Sequence, residues 1–317
     1  MPSTPSNCPL CDAHAPQQTG RTHTDGLQYS QYGCSSCGVQ FWWPLKNPGA
    51  EWYSAHATYG ARNHDPVWGP TWNHKKTLRL LSDRRGSVLD VGCGIGNFLE
   101  LASKRGWESA GIDIDPDAIE ATKQKTGIAD LEVADVVAYA KQHPEKKFDL
   151  VTFFDVLEHI DNHNEFIGSI KSLLKPDGYV AMSMPYREHA PWLMKGDLPP
   201  AHLTNWDRTS LKRFLEARGF EVIYLRRGAA ELWTLVMKMR FKYGENLSFD
   251  VVRTVRRTVG DTQVRQGKRP LIVRTVHALA KVKDAILFGI PAIVVWLYML
   301  PSRRRYYDLF AVARKRS

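Results

Sequence analysis

The segment VLDVGCGIGNF (Val88–Phe98) limits the possible folds more than any other stretch: an apolar run ends in Gly92, Gly94 and Gly96 and passes into an apolar-periodic stretch. Glycines are required where a chain turns sharply and where a ligand must reach bare backbone. A strand, a glycine turn and a helix in that order open a nucleotide-binding βα unit. The spacing here is GxGxG, with Asn97 where the dinucleotide pattern would place its third glycine.

The residues around this unit repeat its logic. Short, non-alternating apolar runs at Ser87–Asp90, Ala110–Asp113, Leu131–Asp135, Phe148–Phe154 and Tyr179–Met184 read as buried parallel strands. Helix candidates lie between and after them near 97–105, 117–126, 163–174 and 209–218, with Asp115 and Pro116 as N-cap and first helical residue and Gly178 and Gly219 past helix ends. The expectation is an α/β fold, a doubly wound Rossmann-like sheet. Ligands bind such sheets at the carboxyl ends of the strands. Asp113 closes the second strand, 21 residues after Gly92, where a carboxylate can take both hydroxyls of a ribose. Asp135 closes the third, placed to accept from an adenine amino group.

With VLDVGCGIG (88–96), GIDIDPDAI (111–119), AD (134–135), FDLVTFFDVLEHI (148–160) and LLKPDGYVAMSMP (173–185), the chain resembles the class I S-adenosylmethionine-dependent methyltransferases. The resemblance implies that Asp90, Gly92, Gly94 and Gly96 line the methionine end of S-adenosylmethionine. It also implies that Asp113 holds the ribose and Asp135 the adenine, with Phe154 near the ring. Cys93, inside the loop, reads as a small space-filler.

Four of the five cysteines form two knuckles, CPLC (8–11) and CSSC (34–37). Met1–Asn7 is polar and Pro-rich rather than charged and then apolar, so a reducing cytosol is expected, where clustered cysteines read as metal ligands before disulfides. Two thiolates three positions apart can share one ion, and Cys8, Cys11, Cys34 and Cys37 close a tetrahedron around a structural Zn2+. His14 and His23 read as ordinary polar residues of the intervening hairpin. YGCSSCGVQFWWPLKNPGAEWYSAHATYG (32–60) and PPAHLTNWDRTSLKRFLEARGFEV (199–222) are similar to a subgroup of these methyltransferases in which a zinc ribbon precedes the catalytic domain. Its members are common in sugar and cell-envelope pathways. The expected organisation is a ribbon over 1–45, a connector over 46–85 that is helical towards its end, a cofactor-binding domain over 86–225, and a basic helical tail over 226–317.

Methyl transfer from a sulfonium is an in-line displacement, and a hydroxyl acceptor must also lose its proton, a task suited to His at neutral pH. The candidates are His159 and His202. In DVLEHI, Asp155, Glu158 and His159 lie just beyond the fourth strand, on the ligand-binding edge. A similar stretch in quinone-biosynthesis O-methyltransferases implies a divalent metal at Asp155, Glu158 and His159, although this chain has Asp at the first position, not Glu. Tyr186 and Arg187, past the fifth strand, read as contacts to the acceptor, with Trp192 and Trp206 as an apolar wall.

Charge is divided unevenly. Of a net +10, residues 226–317 carry +14, from 20 Lys and Arg against 6 Asp and Glu, which leaves −4 on the first 225. A mildly acidic body with a basic tail points to the tail as the part that meets a polyanionic surface. Within the tail, 285–302 is uncharged and is flanked by Lys281 and Lys283 before and Arg303–Arg305 after. Eighteen helical residues reach about 27 Å, marginal against a hydrocarbon core of roughly 30 Å. Basic flanks on both sides suit a segment that enters and leaves one face of an anionic membrane, with the strongly basic 251–283 on the same surface. The expectation is a cytoplasmic, membrane-surface enzyme that methylates an oxygen of a lipid-linked, glycan or isoprenoid-type acceptor. One alternative is an RNA methyltransferase gripping phosphates with ribbon and tail. Another is a non-catalytic membrane scaffold that keeps the fold.

Overall fold

In the computed structural model the described residues are 4–55, 69–187, 197–229, 285–301 and 306–316, together with Leu232, Leu235, Val236 and Met239. The N-terminal region is a small antiparallel sheet. Strands β1 (Gln17–Thr24) and β2 (Leu27–Gly33) form a hairpin through Asp25 and Gly26, both at positive φ as a two-residue hairpin turn demands. A short strand β3 (Gln40–Trp43) follows the second cysteine knuckle and pairs with β2. Beyond it lie a helix over Ala50–Ala55 and a second over Trp72–Leu80, the latter closed by a capping box on Thr71 and His74.

The apolar runs of the middle region form the parallel strands β4 (Ser87–Val91), β5 (Glu108–Asp113), β6 (Leu131–Val133), β7 (Phe148–Phe154) and β8 (Leu174–Pro185). Helices Asn97–Ser103, Pro116–Thr126, Val136–Gln142 and His163–Leu173 connect them. The first follows directly on the glycine turn, and the second starts on Asp115, whose side chain accepts from Asp117 N. Strands read as buried on both faces are so: Val88, Leu89, Leu150, Val151 and Phe153 have no exposed surface. After β8 come a two-residue strand β9 (Thr204–Asn205), a helix over Arg208–Glu216, and β10 (Phe220–Ala229).

Two features differ from the sequence expectation. Gly178 lies inside β8, not past a helix end, because the helix stops at Leu173 and Leu174 already pairs with Phe148. More consequentially, the C-terminal part is helical over 285–299 but closes in a strand. Tyr306–Lys315 form β11, antiparallel to β8 from Asp308↔Pro185 to Arg314↔Tyr179, and the sheet order is β10-β11-β8-β7-β4-β5-β6. Leu309 to Ala313 are buried at five successive positions, as a strand covered on both faces must be. The boundary expected at 225 therefore divides the sheet. Likewise β9 joins β3, so the four-stranded order β1-β2-β3-β9 takes a strand from beyond the central sheet's fifth parallel strand.

The chain divides into two compact units, one of Met1–Arg187, Lys195–Gly228 and Asp308–Ser317, the other of Glu188–Met194 and Ala229–Tyr307. In the first, Leu78, Leu81, Phe98, Leu99, Trp107 and Phe310 belong to one core under the helices that cover the sheet. In the second, a π-helical turn (Ala285–Gly289) leads into a helix over Ile290–Met299. Phe288 and Ala292 are buried there with Leu235 and Met239. No helix of the described residues is long and apolar enough to cross a membrane. Trp192, the stretch 251–283, and the flanking Lys281, Lys283 and Arg303–Arg305 lie outside the described residues.

Candidate active site at the strand ends

The glycine turn closes β4. Gly92, Gly94 and Gly96 all have positive φ, but for different reasons. A Cβ on Gly92 would meet Val156 Cγ2 at 2.6 Å, and one on Gly96 would meet Thr122 Cγ2 at 2.7 Å. A Cβ on Gly94 would meet nothing within 4 Å. The outer glycines thus serve close packing, and the middle one bares backbone to open space, as a ligand cradle requires. Asp113, at the end of β5, accepts from Gly94 N through Oδ2 at 2.9 Å and from Asp115 N through Oδ1 at 3.0 Å. Asp90 Oδ1 accepts from Thr152 Oγ1 at 2.6 Å. Burial pushes the Asp90 carboxyl up to about 7 and raises that of Asp113. Two buried carboxyls beside an open backbone turn form a site that a cationic ligand would stabilise.

Asp135 is exposed and caps the next helix, its Oδ1 accepting from Val137 N and Ala138 N. Phe154 packs against His74 and Phe98, with ring centroids 4.6 and 5.2 Å away. Cys93 is a buried thiol filling space against Gly111.

Beyond β7 the chain turns abruptly. Asp155 has φ +55, an unfavourable conformation for a residue with a Cβ, and its N–H and Oδ1 are bound to the Ser183 carbonyl and hydroxyl at 2.8 and 3.0 Å. A single 3-10 turn, Leu157–His159, follows and buries Glu158 to 1% exposure. His159 Nε2 lies 3.9 Å from Glu158 Oε1, and the His159 and His202 rings meet edge to face at 4.7 Å. His159 Nδ1 is 2.7 Å from the Ala201 carbonyl, which can only accept, so Nδ1 carries a proton and, in the neutral ring, Nε2 the lone pair. Among the described residues, Glu158, His159 and His202 bring ligand-capable atoms within 4.8 Å of one another. Asp155 is not in that set. The group that converges is thus one acid and two histidines, with Asp155 bound to Ser183 of β8. Val156, packed on Gly92, sets this turn directly beside the glycine loop.

Known proteins match the region that builds these strand ends. A family model described as a methyltransferase domain matches residues 70–225. A ubiquinone biosynthesis O-methyltransferase of Salmonella paratyphi A is 30% identical over 163 residues, covering 43% of this chain and 67% of that protein. The chain belongs to the S-adenosylmethionine-dependent methyltransferases. An enzyme of the same name from Proteus mirabilis is 33% identical over 111 residues, 34% of this chain and 45% of that one. The methyltransferase thus spans from under half to two thirds of the length of these relatives. A phosphoethanolamine N-methyltransferase 2 of Haemonchus contortus, in complex with S-adenosyl-L-methionine, shares the fold at TM-score 0.55 and 16% identity, over 94% of this chain and 71% of that one.

Other residues of the methyltransferase take up roles that the sequence did not suggest. Arg187, expected at the acceptor, pairs with Asp207 and donates from Nη1 to the Gly38 carbonyl at 2.7 Å, so its guanidinium ties β8 to the N-terminal region. Tyr186 is buried, with Arg227 Nη1 3.5 Å from its hydroxyl, and Trp206 is fully buried, its indole N–H donating to Thr204 Oγ1. Conversely, Tyr53 and Asn47 were not anticipated. The Tyr53 hydroxyl is 3.2 Å from His159 Nδ1, and Asn47 Nδ2 donates to the His159 carbonyl at 2.7 Å. More than a hundred residues separate these partners in sequence, and no spacing pattern announces them.

The four knuckle cysteines converge. Cys8 and Cys37 sulphurs are 3.8 Å apart, and those of Cys11 and Cys34 3.6 Å. A tetrahedron with metal–sulphur bonds of about 2.3 Å has edges of about 3.8 Å. Hydrogen bonding with Cys37 lowers the pKa of the Cys8 thiol, whereas burial raises that of Cys11. The methyltransferase thus carries four thiols with the spacing of a closed tetrathiolate centre.

Proposed function

We propose that this methyltransferase transfers a methyl group to a hydroxyl oxygen of an isoprenoid-type, lipid-linked or glycan acceptor at a membrane surface, with a structural Zn2+ on Cys8, Cys11, Cys34 and Cys37. The observation that carries this reading is the buried Glu158–His159–His202 group set beside the glycine loop by Val156. S-adenosylmethionine supplies the methyl group on a sulfonium. Asp113 receives the ribose hydroxyls and Asp135 the adenine edge, while Asp90 and the Gly94 backbone line the other end. The buried Asp90 and Asp113 carboxyls favour a cationic cofactor over a neutral one.

On the acceptor side, His159 Nε2 takes the hydroxyl proton as the oxygen attacks. Glu158, 3.9 Å away, then faces an imidazolium and stabilises it. The Ala201 carbonyl holds the ring in the required tautomer, and Tyr53 flanks it. The relatives named as ubiquinone biosynthesis O-methyltransferases support oxygen as the acceptor atom. The uncharged segment 285–302 between basic flanks supports the membrane location. The test is methyl transfer from labelled S-adenosylmethionine to polyprenylated phenols in phosphatidylglycerol vesicles. Wild type should label the phenol oxygen, and His159→Ala should lose roughly 10²-fold or more in kcat. An unchanged rate in that variant would overturn the reading.

The same three residues favour one second reading. A divalent cation on Glu158, His159 and His202 would acidify the hydroxyl in place of a general base. Activity that is lost to a mild chelator and restored by Mg2+, at constant ribbon metal content, would select it.

A further inference from the structure

The ribbon and the acid–histidine group meet in one hydrogen-bonded chain of backbone. The second knuckle runs straight into β3, which starts three residues after Cys37. Strand β3 pairs with β9 at Gln40↔Asn205 and Phe41↔Thr204, and Trp42 N donates to the Leu203 carbonyl at 2.8 Å. Leu203 N in turn donates to the Glu158 carbonyl at 2.7 Å, and the Ala201 carbonyl, two residues before it, holds His159 Nδ1. His202 sits between those two anchored residues. Phe41, Leu203 and Trp206 at this junction have no exposed surface. Three arginines of the catalytic region reinforce the seam by donating to ribbon carbonyls: Arg187 to Gly38 at 2.7 Å, Arg213 to Ser36 at 3.0 Å and Arg218 to Leu10 at 2.6 Å.

We propose that the loaded ribbon is the positioning element for His202: four-thiolate ligation holds β3, β3 holds β9, and β9 fixes His202 against Glu158 and His159. Ribbon occupancy therefore governs acceptor-side chemistry and leaves cofactor binding untouched. A region this small draws on its metal to stay ordered, beyond the burial of Leu10, Tyr32, Val39 and Phe41. Gly94, Asp90 and Asp113 are fixed instead by β4, β5 and β7, through hydrogen bonds to Thr122, Thr152 and Asp115 of the central sheet and its helices. The placement of acceptor chemistry rests on the function proposed above, and the test separates the two.

Full-length protein is compared as purified, after removal of ribbon metal by a strong chelator, after refilling with Zn2+, and as Cys34→Ser. Hydrogen exchange is followed by mass spectrometry, S-adenosylmethionine binding by calorimetry, and histidine exposure by diethyl pyrocarbonate labelling. Depletion should deprotect residues 197–206 and expose His202 to the reagent, with 87–115 still protected and cofactor Kd within about twofold; Zn2+ should reverse each change. In the phenol assay kcat should fall at least tenfold at saturating acceptor, towards the His202→Ala value. Unchanged exchange at 197–206 in the depleted protein overturns the proposal, and so does parallel loss of cofactor binding. If Cys34→Ser fails to fold, Arg213→Ala, which removes one surface staple, should still raise exchange at 197–206. Should depletion open the segment while His202→Ala keeps full activity, the positioning stands and the acceptor-site reading falls.

Discussion

At the residue scale, the glycine loop separates packing from binding. Gly94→Ala places a methyl group in open space, so the fold should survive with a modest strain of about 1–2 kcal/mol while calorimetry finds no S-adenosylmethionine binding. Asp113→Ala should weaken cofactor affinity about 10- to 100-fold, the worth of hydrogen bonds to a charged group. Affinity unchanged in either variant would remove the loop from the site. His163 supplies a different prediction. It is buried beneath the 3-10 turn, where desolvation draws its pKa down to about 4. Because the unfolded chain protonates this imidazole first, its contribution to stability is complete above about pH 6.5 and declines as pH falls towards 4. His163→Gln should flatten that part of the curve of stability against pH, measured by urea titration, by a few kcal/mol across the window. The strand-end positions of Asp113 and Asp135 were legible because each closes an apolar run read as a strand. Tyr53, Asn47 and the pairing of His202 with Glu158 were not, since only the folded chain brings such distant positions together.

At the element scale, strands buried on both faces announced themselves by uninterrupted apolar runs, and β4, β5 and β7 fall where those runs were read. The sequence was least informative where one element completes another's sheet. Tyr306–Lys315 reads YYDLFAVARK, a short apolar run among basic residues, and nothing local connects it to β8, more than a hundred residues earlier. Likewise Thr204–Asn205 is too short to show a period, yet it finishes the N-terminal four-stranded sheet. A consequence follows for truncation. A chain ending at residue 245 lacks β11, leaving β8 and β10 without the strand between them. Burying each large apolar side chain contributes about 1.5–3 kcal/mol, so losing Leu309, Phe310 and Val312 together reaches the whole stability of a typical domain. Such a shortened chain should show no cooperative thermal transition by circular dichroism. One in which 232–303 is replaced by a short glycine–serine linker should keep it. Cooperative melting of the shorter chain would show that β11 is dispensable.

At the scale of the whole molecule, +10 of the +14 on residues 226–317 falls on 230–305, with 15 Lys and Arg against 5 Asp and Glu, a segment inserted between β10 and β11 rather than a free tail. Its uncharged stretch is apolar on more than the side it buries. Phe288, Ala292 and Met299 are inward, while Ile290, Val294, Leu297 and Tyr298 are 58, 61, 53 and 77% exposed. Large apolar groups so exposed favour transfer to a hydrocarbon phase, and the basic residues on both sides add attraction to anionic headgroups of about 1 kcal/mol each. Full-length protein should therefore float with phosphatidylglycerol vesicles and much less with phosphatidylcholine vesicles, and raised salt should weaken the first. Ile290→Ser, Val294→Ser and Leu297→Ser combined leave the inward side intact, so they should abolish flotation while the melting temperature and S-adenosylmethionine affinity stay put. Two other outcomes speak against insertion of the apolar side into lipid. If the triple variant floats as well as wild type, charge alone draws the protein to the membrane. If wild type does not float but self-associates, and the variant is monomeric by light scattering, the apolar side pairs with a second copy, and water-dissolved sugar acceptors become the better substrates to test. Steep loss of RNA affinity with salt, confined to chains that keep the insert, would instead favour a phosphate-backbone partner.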